Sequence, residues 1–248
     1  MDALSLHAPV LVRGAVCGLG RALCARLAGH GVAVLGTGHE TRPDGEFPCP
    51  LVFPESPEEM AETAREKLGG RIGGYVDLAQ TRVEGLFPSF APGKLDAWAH
   101  EDIALRARAL RAVSRIMLEN RSGRCLFVSS IAATAPAPGQ ALYGAAKACG
   151  EALFASLGLE LAARGVTSAS LRLGLLDAGR GASLIAGKTE EYARLQPSGA
   201  LIRVDEAVDC LLYLLSKSAT AINATALTLD GGASRVKAAW LARKAMGG

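Results

Sequence analysis

Ser130-Ile-Ala-Ala-Thr-Ala-Pro-Ala-Pro-Gly-Gln-Ala-Leu-Tyr143-Gly-Ala-Ala-Lys147 is the stretch from which the rest of the chain is placed. A hydroxyl ends an apolar strand (Cys125-Leu126-Phe127-Val128), a Pro/Gly-rich loop follows, and a helix then opens with Tyr143 and carries Lys147 one turn on. Side chains four apart share a helix face. The Lys147 ammonium is therefore placed to lower the pKa of the Tyr143 phenol, ordinarily about 10. A phenol tuned in this way exchanges a proton with a carbonyl or an alcohol at neutral pH. Ser130, thirteen residues earlier, comes from the adjacent strand end to hydrogen-bond the same oxygen. Tyrosine and lysine at this spacing are by themselves more often a surface pair on an amphipathic helix. The serine at its distance, with a glycine turn near the N-terminus, gives the motif its chemical reading.

That turn follows Val10-Leu11-Val12, a short buried strand, and reads Arg13-Gly14-Ala15-Val16-Cys17-Gly18-Leu19-Gly20 before a helix from about Arg21 to Gly29. Glycines at 14, 18 and 20 permit a tight turn and close approach of backbone to a ligand, and the helix N-terminus offers N–H groups and partial positive charge to a pyrophosphate. Gly14, Cys17, Gly18, Leu19 and Gly20 are the candidate cradle. The second strand, Val32 to Leu35, runs into Gly36-Thr37-Gly38-His39-Glu40-Thr41-Arg42. In dinucleotide folds an acid at this strand end favours NAD through the adenosine ribose. The strand end itself carries none. Thr37, Gly38 and His39, with Arg13 and Arg42 nearby in sequence, suit a 2'-phosphate, which favours NADPH; Glu40 leaves NADH open.

Together these motifs resemble the short-chain dehydrogenase/reductase family, over a span from about Val10 to Ser234. The resemblance implies that Ser130, Tyr143 and Lys147 are catalytic, with Tyr143 and Lys147 also touching the cofactor, Lys147 through the nicotinamide ribose. It implies further cofactor contacts at Ala79 and Leu176. It sets Asp102 where the family has an asparagine that helps hold a proton-relay water, so that an anion is expected near Lys147. Several positions depart from the family pattern. Arg13 replaces a threonine and Cys17 a residue that is basic in many NADPH-dependent members. Leu51-Val52-Phe53-Pro54 lies where an aspartate commonly meets adenine, Asp77-Leu78-Ala79-Gln80 stands for N-N-A-G, and Ala178 stands for a threonine. Within the family the chain looks most similar to 3-oxoacyl-[acyl-carrier-protein] reductases. Arg121 and Arg164 match, by distance from Ser130 and Tyr143, the basic positions by which those enzymes dock acyl carrier protein.

Further strands are expected at Pro50–Phe53, Gly74–Leu78, Val166–Leu171 and Ala226–Leu229, and helices at Ser56–Leu68, Leu95–Glu119 and Val204–Ser216. Strand alternating with helix, the strands apolar on both faces, predicts an α/β Rossmann-like, doubly wound parallel sheet of about seven strands covered on both sides. One domain over residues 1–248 is expected, with 235–248 a basic C-terminal extension. Gly179 to Leu201 reads as a glycine-hinged cover over the substrate. A composition half hydrophobic and one-fifth charged, with net charge +3, suits a folded protein and gives no sign of nucleic-acid binding. No apolar run is long enough to span a bilayer and the start lacks signal-peptide form, so a cytoplasmic protein is expected. The six cysteines have no paired spacing, so no metal site or disulfide framework is indicated. The functional expectation is NADPH-dependent reduction of a ketone, a 3-oxoacyl thioester on a carrier protein, by a homo-oligomer or by a hetero-oligomer with a homologue. The alternative is a non-catalytic subunit of this fold serving as a scaffold beside an active homologue.

Overall fold

The computed structural model describes residues 5–38, 45–81, 83–177, 185 and 187–236. Its centre is β1 (Val10–Arg13), whose Val10, Leu11 and Val12 are fully buried. Alternation along a strand sends neighbours to opposite faces, and the two faces meet two helical layers. Val10 and Val12 pack with Leu19, Leu23 and Leu27 of α1 (Gly18–Gly29) and with Val208, Leu211 and Leu215 of α7 (Val204–Leu215). Leu11 packs on the other side with α2 (Pro57–Lys67), α4 (Leu105–Glu119) and α5 (Ala141–Leu161). The remaining strands are β2 (Val34–Thr37), β3 (Leu51–Val52), β4 (Gly74–Asp77), β5 (Gly123–Ser130), β6 (Val166–Leu173) and β7 (Thr225–Leu229). They form one seven-stranded sheet in the order β3-β2-β1-β4-β5-β6-β7, every pairing parallel. The order reverses beside β1, so the crevice lies at the carboxyl ends of β1 and β4. This is the doubly wound sheet that the sequence predicts.

Local chemistry explains the element bounds. Ser56 caps α2, its Oγ accepting from Glu59 N at 3.1 Å, and Pro57 opens the helix. β3 is shorter than its apolar run because Pro50 and Pro54 flank it and a proline cannot donate to a ladder. β2 starts later than its apolar run, since Val32 N closes α1 by donating to Leu27 O. The helix expected over Leu95–Glu119 is instead three pieces: α3 (Pro92–Trp98), a π-helical turn (Ala99–Ala104) and α4. The π turn sits where Asp102 and Arg106 both turn toward the end of β4, and such turns mark positions where a helix accommodates inward polar groups.

In α5 three glycines let the helix backbone lie close against the sheet and the turn that follows β5. A Cβ on Gly144 would reach Ala132 O at 2.7 Å, one on Gly150 would strike the Phe127 ring, and one on Gly158 would sit 2.6 Å from Ser168 Oγ. The Ser168 hydroxyl in turn donates to Phe154 O. Within the expected cover segment, α6 (Thr189–Leu195) is helical. Gly179 and Gly181 lie outside the described residues, as does the C-terminal extension beyond Val236.

Candidate active site

Ser130 is the last residue of β5, and its Oγ accepts from Ala132 N at 3.2 Å, which turns the chain at the strand end. Tyr143 lies in the first turn of α5, where Gly144 rests on the carbonyl of Ala132. Lys147, only 4% exposed, donates from Nζ to Val128 O at 2.8 Å and lies 5.0 Å from the Phe127 ring centroid and 5.7 Å from that of Tyr143. The strand end, the loop turn and the helix start are thus locked together by contacts through backbone and ring, and they bring the three expected residues to one place.

One turn beyond Lys147 on α5, Glu151 accepts from Ser129 Oγ at 2.6 Å and from Arg172 of β6 at 2.8 Å (Nε) and 2.5 Å (Nη2). The Glu151 hydrogen bonds and charge hold the Arg172 pKa above its usual value against the opposing effect of burial. This clamp pins α5 to β5 and β6 beside Ser130, Tyr143 and Lys147. The sequence reading missed it, although the four-residue rule that pairs Tyr143 with Lys147 carries on to Glu151.

On the other side of the crevice the glycine turn has the strained geometry expected of it. Gly14 has φ +81°, and a Cβ there would lie 2.8 Å from Ala79 N. A Cβ on Gly20 would lie 2.7 Å from Gly14 O, whereas at Gly18 it meets nothing within 4 Å. The turn therefore opens to free space at Gly18. Cys17 is the N-cap of α1, its Sγ accepting from Gly20 N at 3.3 Å; Leu19 is buried. These residues fit a dinucleotide pyrophosphate, because a helix N-terminus carrying partial positive charge faces the opening without a large side chain in front of it.

Four of the departures from the family pattern, Arg13, Asp77, Gln80 and Asp102, meet in one buried network. Arg13 Nη1 donates to both oxygens of Asp77, at 3.2 and 3.1 Å, and Asp77 is fully buried. Burial is the largest single influence and opposes the Arg13 cation, but the charge and hydrogen bond of Asp77, with Tyr75 and Asp102, together raise the Arg13 pKa. Arg106, 1% exposed, pairs through Nε with Asp77 at 3.4 Å, donates from Nη2 to Ala79 O at 2.7 Å and to Gln80 Oε1 at 3.3 Å, and reaches the Asp102 carbonyl. Its guanidinium also stacks 4.9 Å from the Phe127 centroid. Asp102 gives its carboxylate to Thr81, from N at 2.9 Å and from Oγ1 at 2.5 Å. Arg13, Asp77, Gln80, Arg106 and Asp102 are therefore mutual partners. Thr81 was not singled out from the sequence, and Arg106, which reads with Arg108, Arg111 and Arg115 as a mixed helix face for a second subunit, is instead buried within this chain.

Three expectations need correction. Asp102 is a latch on Thr81, with both carboxylate oxygens engaged there, in place of a relay residue. Arg13 is held between β1 and β4 by Asp77 and does not serve the ribose end of β2. Thr37 turns its hydroxyl into the core against Met60 Sδ, at 3.9 Å, and offers the glycine turn its carbonyl, which accepts from Gly14 N and Ala15 N. Arg121 and Arg164 lie at the opposite edge of the sheet from Ser130, since they precede β5 and β6 and eight parallel residues at about 3.3 Å each separate the two edges. They are neighbours there: both are exposed, and Gly165 packs on the Arg121 carbonyl.

Gly38 donates to Val52 O at 3.0 Å, and the edge of the Phe53 ring lies 2.5 Å from where its Cβ would be. Leu176 bridges to Ile202, flanked by Asp177 N donating to Ile202 O and Ile202 N to Leu175 O. Ala79 N donates to Asp77 Oδ1 at 3.0 Å. His39, Glu40, Arg42 and Ala178 fall outside the described residues.

A parallel sheet with a glycine turn at one side of its crevice and a Ser-Tyr-Lys group at the other defines a class of nucleotide-dependent oxidoreductase folds. Residues 14–234 match the family described as enoyl-(acyl carrier protein) reductase, and the chain belongs to the short-chain dehydrogenase/reductase family. It is 27% identical over 235 residues to the 3-oxoacyl-[acyl-carrier-protein] reductase FabG of Escherichia coli, covering 90% of this chain and 95% of that protein. It is 28% identical over 248 residues to the 2,3-dihydro-2,3-dihydroxybenzoate dehydrogenase of Bacillus subtilis, covering 90% and 94%. In fold it is similar to a 3-oxoacyl (acyl-carrier-protein) reductase from Agrobacterium tumefaciens solved with NADP bound, with TM-score 0.82, 21% identity and coverage of 92% of this chain and 95% of that one. A gluconate 5-dehydrogenase from Burkholderia cenocepacia, solved with NADP and tartrate, gives TM-score 0.83 at 20% identity, covering 95% and 99%.

Proposed function

We propose that the protein is an NADPH-dependent ketoreductase in which Tyr143 donates the proton, Ser130 holds the substrate oxygen and Lys147 fixes the charge around both. The observation that carries this is the placing of Lys147 Nζ between the Tyr143 ring and the carbonyl of Val128, two residues before Ser130. A cation next to a phenol stabilises the negative charge left there when its proton moves to a substrate oxygen. Ser130 Oγ already accepts from Ala132 N, so its own hydrogen is left to donate to that oxygen. The turn at Gly14–Gly20 and Lys147 would hold the dinucleotide, which when bound would supply hydride chemistry at the carbonyl carbon. The trio delivers a proton to a heteroatom, which favours carbonyl reduction over saturation of a carbon–carbon bond.

NADPH is supported by the NADP that two structures of this fold were solved with, and by the lack of an acid at the end of β2. A 3-oxoacyl thioester carried by a protein is the substrate class supported by similarity to FabG. On this reading the exposed pair Arg121 and Arg164, standing at the far edge from its own cleft, docks the carrier that feeds the cleft of a second copy. The assay is oxidation of NADPH with a 3-oxoacyl carrier protein and with a short 3-oxoacyl thioester. Charge reversal of both arginines is expected to raise KM for the carrier-bound substrate alone. Equal effects on the two substrates would remove the docking role. The second reading, a scaffold beside an active homologue, draws on Phe53 standing against Gly38 with no carboxylate for adenine. Absence of NADPH binding in a fluorescence titration would favour it.

A further inference from the structure

Phe127 stands within β5, fully buried and in register with Asp77 of β4. Two cations from different helices lie over its ring: the Arg106 guanidinium of α4, 4.9 Å from the centroid, and the Lys147 ammonium of α5, 5.0 Å from it. The ring has no room to turn away from either. A Cβ on Gly150 would strike its Cζ, so its tip rests against the α5 backbone, and Phe154 stacks on it with centroids 5.3 Å apart. Arg106 is fixed in turn by Asp77 at 3.4 Å and by Ala79 O at 2.7 Å. The face of an aromatic ring carries negative charge and attracts a cation, most strongly where water is excluded. Asp102, the anion expected near Lys147, spends both carboxylate oxygens on Thr81. From β5, the Phe127 face and the Val128 carbonyl, 2.8 Å from Nζ, hold the buried ammonium.

We propose that Phe127 is a positioning residue for the reaction, its ring face keeping the Lys147 ammonium charged and in place 5.7 Å from the Tyr143 centroid. The role rests on the ketoreductase reading, in which that ammonium stabilises the charge left on Tyr143 as its proton moves. Draining the ring face removes a stabilising partner from a cation in a dry site. The charged form of Lys147 is then less favoured, and the proton-transfer step slows. Substrate binding is spared, because the fully buried ring meets no substrate. A ring that only filled the core would be served equally well by any ring of its shape.

The test replaces Phe127 in the full-length protein by 2-fluoro- and 2,6-difluorophenylalanine, inserted at that one codon, and by leucine. Fluorine withdraws charge from the ring face while nearly keeping its shape, and the ortho positions leave the tip against Gly150 untouched. With NADPH and a short 3-oxoacyl thioester, kcat is expected to fall with each fluorine and by about ten-fold in Phe127→Leu, while KM and the Tm of the fluorinated proteins hold. Lys147, labelled at its ε-carbon and followed by NMR through a pH titration, is expected to lose its proton at progressively lower pH along the fluorinated series. Either readout left unmoved by fluorine overturns the proposal, as does a fall in kcat that only tracks a fall in Tm. Should Phe127→Leu fail to fold, the fluorinated pair decides. A wild-type protein without turnover would overturn the ketoreductase reading separately, and the Lys147 titration would then decide alone whether the ring holds the ammonium.

Discussion

The two walls of the crevice hold their polar groups in different ways. The β5–α5 wall keeps the family's side chains and secures them with backbone and close packing: Lys147 on a strand carbonyl, Gly144 on the Ala132 carbonyl, Gly150 on the Phe127 ring, Glu151 on Ser129 and Arg172. The β1–β4 wall has exchanged its side chains, and the exchanged residues answer one another. Arg13 and Arg106 meet Asp77, while Asp102 and Gln80 take up what remains of the same network. Departures that look like independent losses when counted along a sequence become one coordinated replacement when placed in space. A buried charge is tolerated only when paired and hydrogen-bonded, so these residues stand or fall together.

The comparison breaks first at Tyr143. Tyr143→Phe removes the proton donor and is expected to lower kcat by roughly 10²–10⁴-fold, the range for a general acid. NADPH affinity should be left nearly unchanged, as steady-state rates and a binding titration would show. On the other wall the expected loss is in stability. Asp77→Ala strands Arg13 and Arg106 without their carboxylate and is expected to cost about 3–5 kcal/mol in denaturant unfolding. Pairing Asp77→Asn with Arg13→Thr should cost less than the sum of the single changes, a coupling that a double-mutant cycle reads directly. Additive costs would mean that the network is not a unit.

A smaller effect sharpens the account of the first wall. Glu151→Gln weakens a clamp whose arginine is partly exposed, and after allowance for solvent screening about 1 kcal/mol of stability is expected to go. The accompanying sign is a fall in kcat with KM held, because α5 carries the trio. The smallest effect lies outside both walls. Burial, Arg124 and Lys217 together lower the His7 pKa, so the folded chain resists a proton that the unfolded chain accepts near pH 6.5. Stability should therefore fall as pH drops through that value. His7→Gln should flatten the dependence of Tm on pH between about 7 and 5.

Much of this was legible in the residues. The apolar strands, the glycine turn and the Ser130-Tyr143-Lys147 spacing fix the sheet and its reactive wall because each depends on local periodicity. The Arg13–Asp77 pair and the inward turn of Arg106 were not legible, because partners 64 and 29 residues apart meet only after the strands are ordered. Arg121 and Arg164 were legible only as distances along the chain, and the direction of β5 and β6 is what sets them together at the edge away from Ser130. The π turn at Ala99–Ala104 likewise has no periodic signature, since it follows from two inward side chains, Asp102 and Arg106, that the helix must accommodate.

The central claim is that the β1–β4 wall has been rebuilt to accept a dinucleotide that serves the trio opposite. Titration of the wild-type protein with NADPH, followed by fluorescence, tests it most directly, with Tyr143→Phe measured alongside. Saturable binding of equal affinity in both proteins, with turnover of a 3-oxoacyl thioester only in the wild type, is the predicted result. A folded wild-type protein that binds neither NADPH nor NADH contradicts it.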